Sequence, residues 1–411
     1  MAITTEAPQA SGNPPARFRS AEARGYKLSR GLRWFGGIDA TVDEALMARI
    51  GRALRERDEP GAALAAAIQT RAGTPGHVSH AQLQQALRTG SPADAPDALR
   101  DFMELVNTVP GWVDWDQVDR GARLLARFGQ NAADVLTQLS LIGGYRFGGV
   151  TDFLVATGGL TGGRTLRRLA ETQFWTASLS KPGALAPGGE AWQLTVHVRC
   201  MHAIVNRGME PKWDVDRWGL PVNQADQAGT LALFDATVLL GCRALGVAIS
   251  EADAAAYMHM WHYVGWLLGV HPDFLTEDES ERNRITYHLL LAAPDISEAG
   301  PQLSKAIFAV QADRDYRGWP KNGLRIRWEQ ERMLSMLTGF LGAESVRELE
   351  LTPRPPWAFA YLIPLNTLRY RICDRLPGGE RRREQWGRAN IQRILESYFK
   401  GQAFGVGRLS Q

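Results

Sequence analysis

The chain has 411 residues, of which 45% are hydrophobic and 22% are charged. This apolar content is ordinary for a globular protein and excludes wholesale disorder. The 47 basic and 44 acidic residues leave a formal net charge of +3, which is too small over this length to indicate a nucleic-acid partner. Three cysteines, Cys200, Cys242 and Cys373, lie far apart, so they predict neither a disulfide framework nor a zinc motif and fit a reducing compartment.

The first 25 residues are rich in Pro, Gly, Ser and Ala and contain no apolar run, which predicts a disordered lead-in over 1–25. A secretory signal needs an apolar core of about 7–15 residues. None is recognisable here, so we expect the chain in the cytoplasm. The apolar stretch 228–249 contains Asp235 and Arg243. Because charges are costly in lipid, we expect a core helix there and no transmembrane segment.

Apolar residues recur every three or four positions along most of the chain, which is typical of amphipathic helices. Asp114 is a plausible N-cap for the helix at 116–128. Alternating apolar runs bounded by tight-turn dipeptides are nearly absent. The sequence therefore predicts an all-α protein with one large helical domain over 26–411. The predicted helices lie at 42–57, 81–88, 116–128, 134–141, 163–179, 192–207, 226–247, 252–269, 277–291, 302–309, 325–340, 357–376 and 384–398.

Several common catalytic motifs are absent, including the phosphate-binding loop, the zinc-protease helix and the nucleophile elbow. The glycine-rich run 158–163 follows no predicted strand, so we interpret it as a turn. The arginine cluster 381–383 lacks a wider basic face and indicates a solvated helix start. His259 and His262 are three residues apart and have the spacing of a metal pair. No third ligand is evident, so packing is the favoured interpretation.

The segment 195–207 carries the most informative histidines. His197 and His202 are five residues apart, so they point about 140° apart on a helix. His202 shares a stripe with Arg199 and Asn206 and has apolar neighbours. An imidazole on an apolar helix near one arginine suits a ligand to a buried iron porphyrin, with the cation for a propionate. A buried core histidine is the alternative, and spacing alone favours that alternative.

The preceding helix at 163–179 carries a second polar stripe. Arg168 and Thr172 share a face, and Glu171 flanks them. The alternative interpretation is a surface salt bridge between Arg168 and Glu171. The loop 182–189 allows this helix to fold back against the helix of His202. The two stripes would then face each other across a flat cavity, which is a geometry suited to a sandwiched cofactor.

These motifs together resemble the latex-clearing protein (rubber oxygenase) family. The resemblance is carried by Arg-x-x-Glu-Thr at 168–172, Arg-x-x-His-Ala at 199–203 and the run 261–270, in that order. The family also includes membrane-bound fungal oxygenases that shorten a prenyl side chain in mycophenolic acid biosynthesis. The similarity extends over about 112–376.

The resemblance implies a globin-like helical core, with additional peripheral helices, that holds one haem b. The family's histidine ligand to iron corresponds to His202. Its distal motif is Arg-x-x-Lys-Thr, which Arg168 and Thr172 match. Glu171 stands where the rubber-cleaving members have lysine, so it cannot donate the same positive charge and would instead handle protons.

Two further positions depart from the family pattern. The family's proposed catalytic glutamate aligns loosely with Asp152, which is one methylene shorter. The arginine that follows the axial histidine by four positions is Asn206 here, which removes one anion contact.

The resemblance implies an enzyme that uses dioxygen to cleave or oxidise a carbon–carbon double bond. Its expected substrate is a hydrophobic, unsaturated, isoprenoid-like small molecule. A haem-binding sensor, carrier or weak peroxidase without oxygenase activity is the first alternative. A cofactor-free helical interaction protein, with His202 as core packing, is the second. The oligomeric state is left open.

Overall fold

The computed structural model describes residues 12–90, 94–158, 164–316, 322–400, 402 and 405. Helices are the only regular secondary structure in these residues, which confirms the all-α prediction. The α-helices are, in chain order, α1 (Glu22–Leu28), α2 (Arg30–Gly36), α3 (Glu44–Ala53), α4 (Glu59–Ile68), α5 (His80–Thr89), α6 (Asp97–Asn107), α7 (Trp115–Phe128), α8 (Gln130–Val135), α9 (Val150–Ala156), α10 (Arg164–Leu179), α11 (Glu190–Met209), α12 (Val215–Trp218), α13 (Gln224–Phe234), α14 (Ala236–Ala244), α15 (Glu251–Leu267), α16 (Glu279–Ala292), α17 (Ala299–Asp313), α18 (Asn322–Glu348), α19 (Trp357–Thr367) and α20 (Gly379–Phe399).

The predicted lead-in over 1–25 is ordered where the structure describes it. Residues 1–11 lie outside the described residues, but Arg17 is only 5% exposed and its Nη2 lies 2.6 Å from Oδ2 of Asp226. Helix α1 then begins at Glu22. The expectation of disorder is therefore wrong for 12–25, because composition does not reveal an ion pair between residues that are 209 positions apart. The division into 1–25 and one domain over 26–411 stays a prediction.

The helix predicted over 226–247 is broken at Asp235. This residue has φ −94° and ψ −102°, and its side chain accepts the N–H of Ala236 at the start of α14. Its carboxylate lies 2.8 Å from Nε of Arg282, and both side chains are fully buried. The charge that argued against a lipid environment is thus paired inside the protein. None of the described helices combines the length and the apolar character needed to cross a bilayer.

Helix α7 is the central helix of the fold and confirms one detailed prediction. Asp114 is its N-cap and accepts the backbone N–H groups of Asp116 and Gln117. Gly121 faces α15, and a Cβ at Gly121 would come within 2.6 Å of the carbonyl oxygen of Ala256. The two helices therefore approach closely enough to form the middle of the core.

The buried apolar side chains form two clusters, and α10 contributes to both. Trp175 and Leu179 belong to the cluster around α7, α11 and α15, whereas Leu169 belongs to the cluster around α17, α18 and α20. The helix that carries the predicted distal motif therefore lies where the two cores meet. The apolar side chains of α10 are therefore buried in both cores, whereas its motif residues Arg168 and Thr172 keep exposed side chains.

Candidate active site

A hydrogen bond fixes the register of the hairpin formed by α10 and α11. The indole N–H of Trp175 donates to Oγ1 of Thr195 at 3.0 Å, and both groups are buried. Arg168 lies seven residues before Trp175, and His202 lies seven residues after Thr195. Seven residues make nearly two helical turns and about 10 Å, so Arg168 and His202 stand on the facing sides of the hairpin at the same level. This is the juxtaposition that the two motifs predicted.

The imidazole of His202 is half-buried, and its Nδ1 is buried with no hydrogen-bond partner in the described residues. Burial lowers the pKa of His202 to about 4; the positive charge of Arg168 acts in the same direction, while Asp58 opposes it. His202 is therefore neutral near pH 7. A neutral imidazole is the form that donates a lone pair to a metal.

Arg168 has no ion-pair partner among the described residues, although its helix carries other charged side chains. Both Arg168 and Thr172 have exposed side chains. Since the charge of Arg168 acts on the pKa of His202, this cation lies near the imidazole and is available to an anion.

Tyr145 belongs to the same neighbourhood, and no pattern in the sequence indicated it. Its hydroxyl group is buried and has no hydrogen-bond partner in the described part of the chain. Burial raises the pKa of Tyr145 well above its usual value, and the charge of Arg168 partly opposes this. No motif marks this tyrosine, so only the packing of the chain reveals it.

Glu171 forms a different salt bridge from the one considered in the sequence. Its Oε1 accepts a hydrogen bond from Nε of Arg167 at 2.9 Å, four residues earlier on α10. The Glu171 side chain is 19% exposed, whereas that of Arg167 is 68% exposed. Glu171 therefore lies at the edge of the hairpin and is held by a solvated cation rather than by Arg168.

Arg199 has a partner that the sequence analysis did not predict. Its Nε and Nη2 donate to the two carboxylate oxygens of Asp58 at 2.6 and 2.7 Å, and the side chains are 5% and 10% exposed. The guanidinium also lies 5.3 Å from the ring centroid of Phe102. Through this ion pair, Arg199 ties α11 to the start of α4. The propionate contact expected for Arg199 stays a prediction.

Asn206 and Asp152 both form hydrogen bonds to backbone groups. Oδ1 of the buried Asn206 accepts the N–H of Val222 at 2.9 Å and so anchors the loop before α13. Oδ2 of the half-buried Asp152 accepts the N–H of Gly149 at 2.8 Å and caps α9. The cofactor contact expected for Asn206 stays a prediction. Asp152 keeps one carboxylate oxygen free of this capping bond.

His259 and His262 share one acidic neighbour, Glu277. Nδ1 of His259 lies 2.9 Å from Oε1 of Glu277, while its Nε2 accepts the N–H of Asp114 at 2.9 Å. The ring of His262 stacks on Trp112 with centroids 4.1 Å apart. Within the described residues, no group of three His, Cys, Asp or Glu side chains has an arrangement that could hold a metal ion. Among these residues, the His259 ring is hydrogen bonded and the His262 ring is packed against Trp112.

Comparison with known proteins identifies the chain's relatives. A family model described as "ER-bound oxygenase mpaB/B'/Rubber oxygenase, catalytic domain" matches residues 121–369, more than half of the chain. The chain belongs to this family. The match includes both helices of the hairpin with Arg168 and His202, and it confirms the resemblance and the oxygenase class predicted from the motifs.

Two relatives show how far the family similarity extends. The rubber oxygenase of Streptomyces sp. (strain K30) is 27% identical over 237 residues, which are 56% of this chain and 56% of that protein. The chain thus spans about half the length of this curated relative. A structure of latex clearing protein LCP in the closed state has a TM-score of 0.62 and 20% identity, and the match covers 87% of this chain and 93% of that one. This likeness confirms the latex-clearing-protein fold.

Proposed function

We propose that the chain is a haem b-dependent oxygenase. Its expected reaction is the oxidation or cleavage of a carbon–carbon double bond in a hydrophobic, isoprenoid-like small molecule. The observation that supports this most strongly is the neutral imidazole of His202 at the level of Arg168, which has no ion-pair partner among the described residues, in a chain that belongs to an oxygenase family.

His202 is the proposed iron ligand because its chemistry fits that role. Haem iron is commonly held by one histidine. The imidazole of His202 is neutral near pH 7, and its buried Nδ1 lacks a partner within the described residues. A buried polar group without a partner costs free energy unless a ligand arrangement satisfies it. These properties support His202 as the donor that a bound haem would require.

Arg168 is the proposed contact for a negatively charged group of the cofactor. It is close enough to lower the pKa of His202, and it has no carboxylate partner in the described chain. Arg199 already forms a buried ion pair with Asp58, so Arg168 is the preferred residue for this role. An arginine with free N–H donors binds a carboxylate through charge-assisted hydrogen bonds, which suits a haem propionate.

Bound haem would supply the activation of dioxygen, and the protein would supply orientation and proton transfer. Glu171 is placed to accept or release a proton, because its carboxylate is only partly exposed and lies three residues from Arg168 on the same helix. The hydroxyl of Thr172 is exposed one turn after Arg168 and offers a hydrogen bond. Asp152 is a second proton acceptor through the oxygen that does not cap α9.

An aromatic cluster beside the hairpin offers an apolar wall for the substrate. The ring centroids of Trp175 and Phe234 are 5.4 Å apart, and those of Phe234 and Trp261 are 5.5 Å apart. Trp175 lies on the same side of α10 as Arg168. Such aromatic side chains line most small-molecule sites and suit an alkene better than a polar substrate.

Oxygen uptake by the haem-loaded protein tests this proposal. Squalene and its saturated analogue squalane provide a matched pair, and shorter isoprenoid alkenes extend the series. We expect oxygen consumption and carbonyl products with the alkenes but not with squalane. A haem-loaded protein that binds oxygen or other gases and never consumes oxygen with any alkene would favour the carrier or sensor alternative.

A further inference from the structure

A cavity of about 380 Å³ lies among α8, α10, α17, α18 and α20. This volume falls in the range of small-molecule sites. Helix α10 contributes Gln173 to its wall, five residues after Arg168 and therefore about 140° around the helix. The cavity thus lies on the other flank of α10. None of the residues assigned to the candidate active site lines it.

The cavity wall includes five arginines, and their partners differ. Arg332 pairs with Asp134, and Arg325 pairs with Glu329. Arg314, in contrast, has no carboxylate within ion-pair distance among the described residues, and its acceptors are neutral. A guanidinium inside a cavity is costly unless an anion or polar groups compensate its charge.

Arg314 is held rigidly but keeps unused donors. Nε and Nη2 donate to Oγ of Ser397 at 3.1 and 2.9 Å, and Nη1 donates to Oε1 of Gln311 at 3.0 Å. The guanidinium lies 4.4 Å from the ring centroid of Tyr398 and 5.0 Å from that of Tyr316. Since a guanidinium has five N–H donors and three are used here, one on each terminal nitrogen remains. Two such donors suit a carboxylate.

Two further polar atoms on the wall lack partners. Gln138 is 3% exposed, and its Oε1 has no hydrogen-bond partner in the part of the chain that the structure describes. Its Nε2 makes only a weak contact with Sδ of Met336 at 3.6 Å. Nδ2 of Asn390 is also buried without a partner there, although its Oδ1 accepts from Arg393. The wall therefore presents one unused acceptor and one unused donor besides Arg314.

We propose that this cavity binds a small hydroxylated organic carboxylate with a flat apolar body. The carboxylate would accept from Arg314 and Asn390, and the ligand's hydroxyl group would donate to Oε1 of Gln138. The rings of Tyr316 and Trp386, which also line the cavity, would pack on the apolar body. This site is separate from the proposed haem site, so either assignment can fail without the other.

Isothermal titration with 4-hydroxybenzoate tests the site in the whole 411-residue chain as purified, with its haem content recorded. We expect saturable binding, at least about ten-fold weaker binding in Arg314→Met, and unchanged binding in the control Arg371→Met, which replaces an exposed arginine outside the cavity. The neutral analogue 4-hydroxybenzyl alcohol should not bind. Benzoate should bind more weakly than 4-hydroxybenzoate, and Gln138→Leu should remove this difference.

Any of three results would overturn the proposal. The first is an absence of saturable 4-hydroxybenzoate binding, the second is equal affinity of Arg314→Met and wild type for 4-hydroxybenzoate, and the third is equal binding of the neutral alcohol. If Arg314→Met does not fold, Arg314→Lys and Gln138→Leu carry the test, and unchanged affinity and selectivity in both would equally overturn it. The Soret absorption of each variant is recorded as well, so that a loss of 4-hydroxybenzoate binding can be distinguished from a loss of haem.

Discussion

The indole of Trp175 is hydrogen bonded to the hydroxyl of Thr195, and this buried bond aligns the two helices that carry the family motifs. Arg168 and His202 lie equally far from it, seven residues along each helix. The charge of Arg168 reaches His202 because of this alignment. The register of one hairpin therefore brings the proposed iron ligand and the unpaired cation together.

Loss of this hydrogen bond should destabilise the protein and loosen the proposed site. Thr195→Val removes the acceptor and leaves the buried indole N–H unsatisfied, which costs about 1–3 kcal/mol of unfolding free energy. We expect the same variant to release haem faster in a haem-transfer assay. Thr176→Val is the matched control, because the hydroxyl of Thr176 donates to the carbonyl of Thr172 on its own helix and to no other described residue. Equal effects in both variants would contradict the role of the bond.

Removal of Asp58 should destabilise the protein whether or not haem is bound. Asp58→Asn leaves the charge of Arg199 buried and uncompensated, and such changes cost about 3–5 kcal/mol. The double variant Asp58→Leu/Arg199→Met should recover part of this loss, since neither charge remains. Chemical denaturation of haem-free and haem-loaded protein measures both effects. A large effect confined to the haem-loaded protein would mean that Arg199 acts through the cofactor.

The buried pair of Asp235 and Arg282 should make stability depend on pH. Burial raises the pKa of Asp235 from 3.8 to about 6, with Arg282 opposing the shift. A carboxyl group with a raised folded-state pKa contributes stability that is fully present below about pH 4 and is lost as the pH rises through about 6. Wild type should therefore lose stability over this range relative to Asp235→Asn/Arg282→Met, at up to about 1.4 kcal/mol per pH unit. If the free energy of unfolding of the two proteins changes with pH in the same way, the raised pKa of Asp235 would be contradicted.

Glu171 should affect turnover more than stability. Its partner Arg167 is mostly exposed, and such pairs contribute at most about 1 kcal/mol. We expect Glu171→Gln to fold normally and to alter the pH–rate profile of the oxygenase reaction. Glu190→Gln, which breaks the exposed pair with Lys181 on the same hairpin, is the control. An unchanged pH–rate profile in Glu171→Gln would place this carboxylate outside the reaction.

The hairpin was predictable because its determinants are local. Helical periodicity predicted α10 and α11, and the two short motifs predicted that Arg168 and His202 would face each other. The helices that were not predicted lack a clear contrast between an apolar and a polar face. Helix α4, for example, has the sequence EPGAALAAAI. Small apolar residues lie on all sides of this helix, so no polar face reveals the 3.6-residue helical periodicity.

The partners of the motif residues were not predictable, because they lie far away in sequence. Asp58 is 141 residues from Arg199, so spacing within α11 could not reveal that its charge is already neutralised. Asn206 meets Val222 only because the following loop folds back. Tyr145 carries no motif, and its buried hydroxyl becomes visible only once the two cores are packed. Short motifs thus predicted the hairpin and indicated the proposed iron ligand, while long-range packing decided the remaining contacts.

The most direct test of the proposed site compares two histidine variants of α11 by absorption spectroscopy. Protein expressed with sufficient iron and analysed as the pyridine haemochrome should contain haem b. His202→Ala should remain folded and lose the Soret band, whereas His197→Ala should keep it, because His197 lies about 140° away on the helix. Equal haem content in the two variants, or a wild-type protein that oxidises alkenes without any haem, would contradict the assignment of His202.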